Sequence, residues 1–340
     1  TTFTLSARDG SLLTSTRTLA IQVQFTPRNH LVPRALNDGQ PGSLAYALAK
    51  AGNNDAITFA LPEYPATIRM TGGGTTALRR NLVIKGPGAD LLTISGDSNG
   101  DGIPDRQIFS VYARVTIEGV AFSHGTAAFG GAISVQTTGE LILRHSAITD
   151  CIASECGGAI DVDGGKLTIE NSFIGFNALS PDAGLGGGAG VSIYSDHDAR
   201  IANTTFHGNI QANEGGVGGG ALLFQAQTSG TLQKSCFVVH CSFADNVDAA
   251  GFASAILAVE NSALVRPANS IFADFSGRNL NVYGGGNLVS DGGNFCDDST
   301  KVIRTPGDGA SPYLLDHLHD TTEADPLLAP LVTTGAATPH

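Results

Sequence analysis

Along residues 111–275, apolar and polar positions alternate in short runs, and the runs return at nearly fixed spacing. Leu167-Thr168-Ile169-Glu170-Asn171-Ser172-Phe173-Ile174 is one such run. Val115–Phe122, Leu141–Ile148, Ala199–Phe206, Cys236–Phe243 and, more loosely, Val265–Phe272 are others. Alternation with a period of two predicts strands with one apolar face and one polar face. Between the runs a glycine phrase recurs: Gly130-Gly131-Ala132-Ile133, Gly157-Gly158-Ala159-Ile160, Gly187-Gly188-Ala189-Gly190, Gly219-Gly220-Ala221-Leu222, and a worn copy at Ser254-Ala255-Ile256. A third phrase, Phe-x-x-Asn, stands at Phe206–Asn209 and Phe243–Asn246, with Ile174–Asn177 as a variant. Repeats of this length are stacked units, each too small to bury its own apolar face. No sustained helical period separates the strands, which argues against βαβ crossovers. The period is also short for a four-stranded propeller blade. Each repeat therefore reads as one turn of a parallel β-helix.

Aligning the copies predicts columns. Ile117, Leu143, Ile169, Ile201 and Val238 form one inward column, and Phe122, Ile148, Ile174, Phe206 and Phe243 form another. The alanines of the glycine phrase, Ala132, Ala159, Ala189, Ala221 and Ala255, fall 27, 30, 32 and 34 residues apart. Asn177, Asn209 and Asn246 share one position, where stacked amides bond to each other and to turn backbone. Outward, Arg114, Glu140, Lys166 and Asp198 alternate in sign, as do Glu118, Arg144 and Glu170. Opposite charges on adjacent strands contribute about 0.2–1 kcal/mol per pair.

Gly-Gly-Ala-Ile and Phe-x-x-Asn resemble the repeat tetrapeptides of the bacterial polymorphic outer-membrane protein adhesins. The chain is also similar to a broader group of secreted bacterial, pectate-lyase-like parallel β-helix proteins. These open with a segment like Asn37–Leu48 running on to Ala56–Phe59, and close with ones like Gly286–Gly292 and Asp325–Leu331. The resemblance covers roughly residues 35–331. It implies an all-β, right-handed parallel β-helix with a short N-terminal capping helix, located extracellularly or on the bacterial cell surface. It does not imply one activity, because this fold carries many.

Residues 1–24 read as a hairpin, Thr2–Ser6 and Thr16–Val23 around Arg8-Asp9-Gly10-Ser11. The stretch resembles the last hairpin of an immunoglobulin-like bacterial surface domain, which implies a longer natural protein. Residues 25–42, with Pro27, Pro33 and Pro41, read as a linker. Ser43–Ala51 reads as an amphipathic helix with Ser43 as N-cap and Leu44 and Leu48 on one face. The parallel β-helix is expected over 43–335, leaving 336–340 as a truncated tail. The chain opens on Thr1 without a signal-peptide pattern, as a mature or trimmed fragment does.

The 340 residues carry a formal charge of −12, which argues against a nucleic-acid surface. No run of 18 apolar residues exists, so no transmembrane helix is expected. Five cysteines, Cys151, Cys156, Cys236, Cys241 and Cys296, leave at least one unpaired within the chain. Cys151 and Cys156 flank a short turn and read either as a pair or as two free thiols. Cys236 aligns with inward Leu167, and Cys241 with Ser172.

Residues 97–105 read Asp-Ser-Asn-Gly-Asp-Gly-Ile-Pro-Asp, the ligand half of a calcium loop. Side chains of Asp97, Asn99, Asp101 and Asp105, with the Ile103 carbonyl, are the expected ligands of one structural calcium. No glutamate closes the loop at its twelfth position, where Ile108 stands, so Asp105 takes that place. The weak catalytic candidates are Asp161 and Asp163, which alternate on one strand with Cα atoms roughly 6.6 Å apart, and His145 one coil away. That carboxylate spacing overlaps the span of about 6.5–9.5 Å used by inverting glycosidases. The competing reading is a strand entering a turn, where aspartate is favoured. His145 and His240 both align with Asn171 at a strand end and read as turn residues. Asp316-His317-Leu318-His319-Asp320 is a faint transition-metal signal. Gly184–Gly190 and Gly215–Gly220 precede no helix and read as corners, not phosphate loops.

Two functions follow. One is a non-catalytic extracellular or cell-surface β-solenoid acting in adhesion, matrix or surface assembly. Its partners would be a surface glycan, a protein or copies of itself. The other is a carbohydrate-active enzyme, lyase or hydrolase, or a glycan-binding module.

Overall fold

The computed structural model describes residues 2–8, 14–20, 26–72, 74–182, 186–226, 233–260, 263–274, 278–298 and 320–323. His317, His319, the Asp325–Leu331 segment and the tail lie outside them. The chain is a parallel β-solenoid of about nine turns. Among the described residues, four parallel sheets of ten, nine, five and eight strands run along it. The chain visits them in that order, here called the first to the fourth sheet. Arg114–Glu118, Ala121–Ser123, Thr126–Phe129 and Ile133–Val135 make one full turn. Glu140–Arg144, Ala147–Thr149, Ile152–Cys156 and Ile160–Asp163 make the next.

The predicted columns are the observed registers. Ile117, Leu143, Ile169, Ile201 and Val238 pair in succession across the first sheet. Phe122, Ile148, Ile174, Phe206 and Phe243 pair across the second, and Phe272 extends them. All are fully buried. The last three rings stack, with centroids 4.8 Å and 5.1 Å apart. Outside, Arg144 reaches Glu170 at 2.8 Å and Arg114 reaches Glu140 at 3.6 Å, on exposed faces where such pairs add little individually.

Polar chemistry turns the corners. Between the first and second sheets, His145, Asn171, Asn203, His240 and Asn269 all adopt the left-handed conformation, with φ between 46° and 54°. The hydroxyls of Ser172 and Ser270 then accept the backbone N–H of Ser146 and Cys241 in the neighbouring turn. Between the second and third sheets the expected amide ladder forms. Asn177 donates its N–H and its Nδ2 to Asn209 Oδ1, and Asn209 does the same to Asn246 Oδ1. Each Nδ2 also donates to a carbonyl of an earlier turn, namely those of Ile148, Ile174 and Phe206. The ladder runs one step further than expected, because Asn246 donates in the same way to Asp274 Oδ1.

Between the third and fourth sheets the glycine phrase makes the bend. Gly130, Gly157, Gly188 and Gly219 have φ of 66°, 65°, 71° and 82°. After Gly130, Gly157 and Gly219 comes a glycine with no room for a side chain: a Cβ at Gly158 would lie 2.3 Å from the Ala189 oxygen. That contact corrects the alignment. Ile160 pairs with Val191, so Gly190, not Ala189, stands over Ala159. In this copy the conformation falls on Gly188, the second glycine of the phrase, so in a run of glycines the alanine is a poor marker of register.

The expected helix is Leu44–Lys50, and Ser43 Oγ accepts the N–H of Tyr46 at 3.2 Å as its N-cap. Leu44 is buried in the main core with Val32, and Leu48 packs at the edge. Residues 25–42 are not only a linker. Asn29–Val32 pairs in parallel with Ala56–Phe59 as the first strand of the first sheet. Asp55 ties it down, accepting the N–H groups of Arg28 and Gly52 and lying 2.8 Å from His30 Nε2. The flanking Pro27 and Pro33 mask so short a strand in the sequence. Thr2–Arg8 and Thr14–Ala20 form the expected antiparallel hairpin.

Candidate functional site

The outer face of the fourth sheet forms the floor of a groove of about 530 Å³. Because Ile160 and Val162 point into the core, Asp161 and Asp163 must point out. Asp161 lies beside Ser192, and Asp163 beside Tyr194 and then Gln225, through successive paired strands. Gln136 and Leu223 complete the floor, and Phe129, Cys156, Gly186 and Val217 form the wall just before the glycine corners. Phe129 and Tyr194 are exposed at the rim.

The two carboxyls differ in environment. Burial pushes the Asp161 carboxyl up to about 7, a hydrogen bond from Ser192 partly offsets this, and the charge of Asp163 adds to it. Burial and then the proximity of Asp161 push the Cys156 thiol up to about 11, so it stays protonated and is no nucleophile at neutral pH. The arrangement offers one carboxyl that gives or accepts a proton, one carboxylate, two amides, a hydroxyl and two aromatic rims. Asp161 and Asp163 are thus together in the groove. His145 is not with them: it is exposed at the left-handed corner between the first and second sheets, as its alignment with Asn171 implies. Gln136, Ser192, Tyr194 and Gln225 belong to no motif in the sequence. Their only signal there is an outward place on strands whose register the loops of unequal length leave open.

The expected calcium loop curls around Asp97. Asp97 Oδ1 accepts the N–H of Gly100 at 2.6 Å, and Oδ2 that of Gly102 at 3.0 Å. Burial opposes ionisation of Asp97, but these N–H groups outweigh it and hold its carboxyl below the usual range. Asp101 Oδ1 accepts the N–H of Ile103, and Asn99 Oδ1 that of Asp101. The side chain and backbone of Ser98 hold Asp105 low. The residues of the set share one loop, and all four side chains also hydrogen-bond within it. Among the described residues, only Cys296, Asp297 and Asp298 gather three ligand atoms of His, Cys, Asp or Glu within 4.8 Å.

All five cysteines are free thiols, so Cys151 and Cys156 are not paired. Cys151 takes the place of the first amide in the ladder, accepting the N–H of Gly125 at its sulfur. Among the described residues no helix is long and apolar enough to cross a membrane. Comparison with known proteins finds no matching family, characterised protein or solved structure.

Proposed function

We propose that this chain is a carbohydrate-binding β-solenoid, acting at a bacterial surface by presenting its groove to a glycan rather than by turning over substrate. The observation that carries this reading is the groove floor. Asp163, Tyr194, Gln225 and Ser192 combine hydrogen-bonding groups with an aromatic ring, the mixture that sugar hydroxyls and C–H faces require. The resemblance of the repeats to adhesin tetrapeptides supports the extracellular setting. A structural calcium at Asp97, Asn99, Asp101 and Asp105, with the Ile103 carbonyl, belongs to the same proposal.

A hydrolase reading is favoured by one observation, the Asp161 carboxyl pushed up to about 7 beside Asp163. Such a pair suits a general acid and a base. A glycan array and a reducing-sugar assay on the purified chain separate the readings. Binding without cleavage, lost in Tyr194→Ala, supports presentation. Cleavage abolished by the double change Asp161→Asn and Asp163→Asn, with the fold intact, replaces it by the hydrolase. No binding to any glycan refutes both.

A further inference from the structure

Resting on the carbohydrate reading above, we infer that the groove takes a linear, uncharged oligosaccharide lying along the solenoid axis, about one ring per turn.

The direction follows from the register. Asp163, Tyr194, Gln225, Val259 and Tyr283 are paired one after another, so their outward side chains form a row parallel to the axis. Gln136, one residue past the Val135–Val162 pair, stands at the head of that row. Neighbouring strands lie about 4.8 Å apart. The step from Gln136 through Asp163 and Tyr194 to Gln225 therefore spans about 14 Å, the length of a short linear glycan rather than of one sugar. The wall residues Phe129, Cys156, Gly186 and Val217 come from successive turns and run alongside the row. A chain laid across the sheet would meet this wall; a chain laid along it would not.

The charge preference follows from the lining. Among the described residues no lysine, arginine or histidine lines the groove, and its two carboxyls both belong to aspartates. Asp161 is already desolvated, and its ionised form is opposed by Asp163. A uronate carboxylate placed there would add a further negative group beside the two aspartates in a poorly solvated site with no cation among the described lining residues to meet it. Amides, a hydroxyl and carboxyls instead match the alternating donors and acceptors of neutral sugar hydroxyls. Tyr194, 37% exposed, stands in this row as an amphipathic ring, and Tyr283, 51% exposed and packed edge-on against Phe252, ends it.

Calorimetric titration of the purified chain tests this. The ligands are uncharged β-1,4-linked glucose, xylose and mannose oligomers of two to six rings, and oligogalacturonates of matching length. Affinity is expected to rise with length up to about three or four rings and then level off. The galacturonates are expected to bind weaker by about tenfold or more. Tyr194→Ala should weaken the neutral series about tenfold, and Gln225→Ala should shorten the length at which affinity levels off. Asp163→Lys, at an exposed position, should tighten galacturonate binding and so narrow the gap. Galacturonates binding as well as the neutral series would overturn the charge preference and leave the carbohydrate reading standing. Affinity independent of length would overturn the axial placement alone. Binding by neither series would overturn the carbohydrate reading itself.

Discussion

Replacing Asp274 by asparagine should make the protein more stable at neutral pH, although it removes a buried hydrogen-bonded carboxyl. Asp274 ends the amide ladder. Its Oδ1 accepts two N–H groups from Asn246, but its Oδ2 is buried and has no partner. In Asn177, Asn209 and Asn246 the corresponding atom is a nitrogen that donates to a carbonyl. Burial, with the charges of Asp297 and Asp245 adding to it, pushes the Asp274 carboxyl from 3.8 up to about 8. Between about pH 4 and pH 8 the folded chain therefore keeps a proton that the unfolded chain releases. Folding stability from this group is full below pH 4 and falls by about 1.4 kcal/mol for each pH unit up to about 8. At pH 7 the loss has reached about 4 kcal/mol. Asparagine keeps the acceptor for Asn246 and has no such proton to hold. Its buried Nδ2 costs about 1–3 kcal/mol if it finds no partner, so a net gain of about 1–3 kcal/mol remains at pH 7. Near pH 5 the two proteins should be about equal. The assay is thermal melting of both chains from pH 4.5 to pH 9, read by circular dichroism, with Asp274→Ala as control. The alanine variant should be less stable at pH 5, because it strands both Asn246 donors. Parallel stability profiles for wild type and Asp274→Asn would refute the reasoning, since they would mean that the carboxyl is ionised in the folded chain.

Asn209→Ala should cost about 3–5 kcal/mol in denaturant titrations, because it leaves the Asn177 donors, the Ile174 carbonyl and the Asn246 amide short of a buried partner; a loss below about 1 kcal/mol would show that water replaces the amide. Gly158→Ala places a Cβ against the Ala189 oxygen and should lower stability by about 2–3 kcal/mol, whereas Gly39→Ala meets no atom within 4 Å and should cost only about 1 kcal/mol for its positive φ; equal melting points would contradict the close approach. Excess calcium should raise the melting temperature and chelator should lower it, by mass action on the Asp97 loop. The difference should vanish in the double change Asp101→Asn and Asp105→Asn. Coincident melting curves with and without calcium in the wild type would remove calcium from the proposal.

The repeats made the architecture legible because each turn must bury the same face in the same way. Inward Ile169 and Ile174 therefore have counterparts in neighbouring turns, and alternation with a stacked period was enough to predict a parallel solenoid and its columns. Ser43 could be read as a cap because capping is local, requiring only its own hydroxyl and the N–H of Tyr46. Where loop length varies, the sequence loses count. A glycine too many shifted the alanine alignment at Ala189. A residue fewer hid Asp274, which follows Phe272 by two positions where Asn246 follows Phe243 by three. The strand Asn29–Val32 stayed hidden because its only partner is Ala56–Phe59, 27 residues on, and a single alternation between prolines carries no period. The groove needed the tertiary structure most. Asp161 and Asp163 were visible as neighbours on one strand. Whether Ser192, Tyr194 and Gln225 stand beside them depends on register across loops of unequal length, and the upward push on Asp161 depends on burial that only the assembled wall supplies.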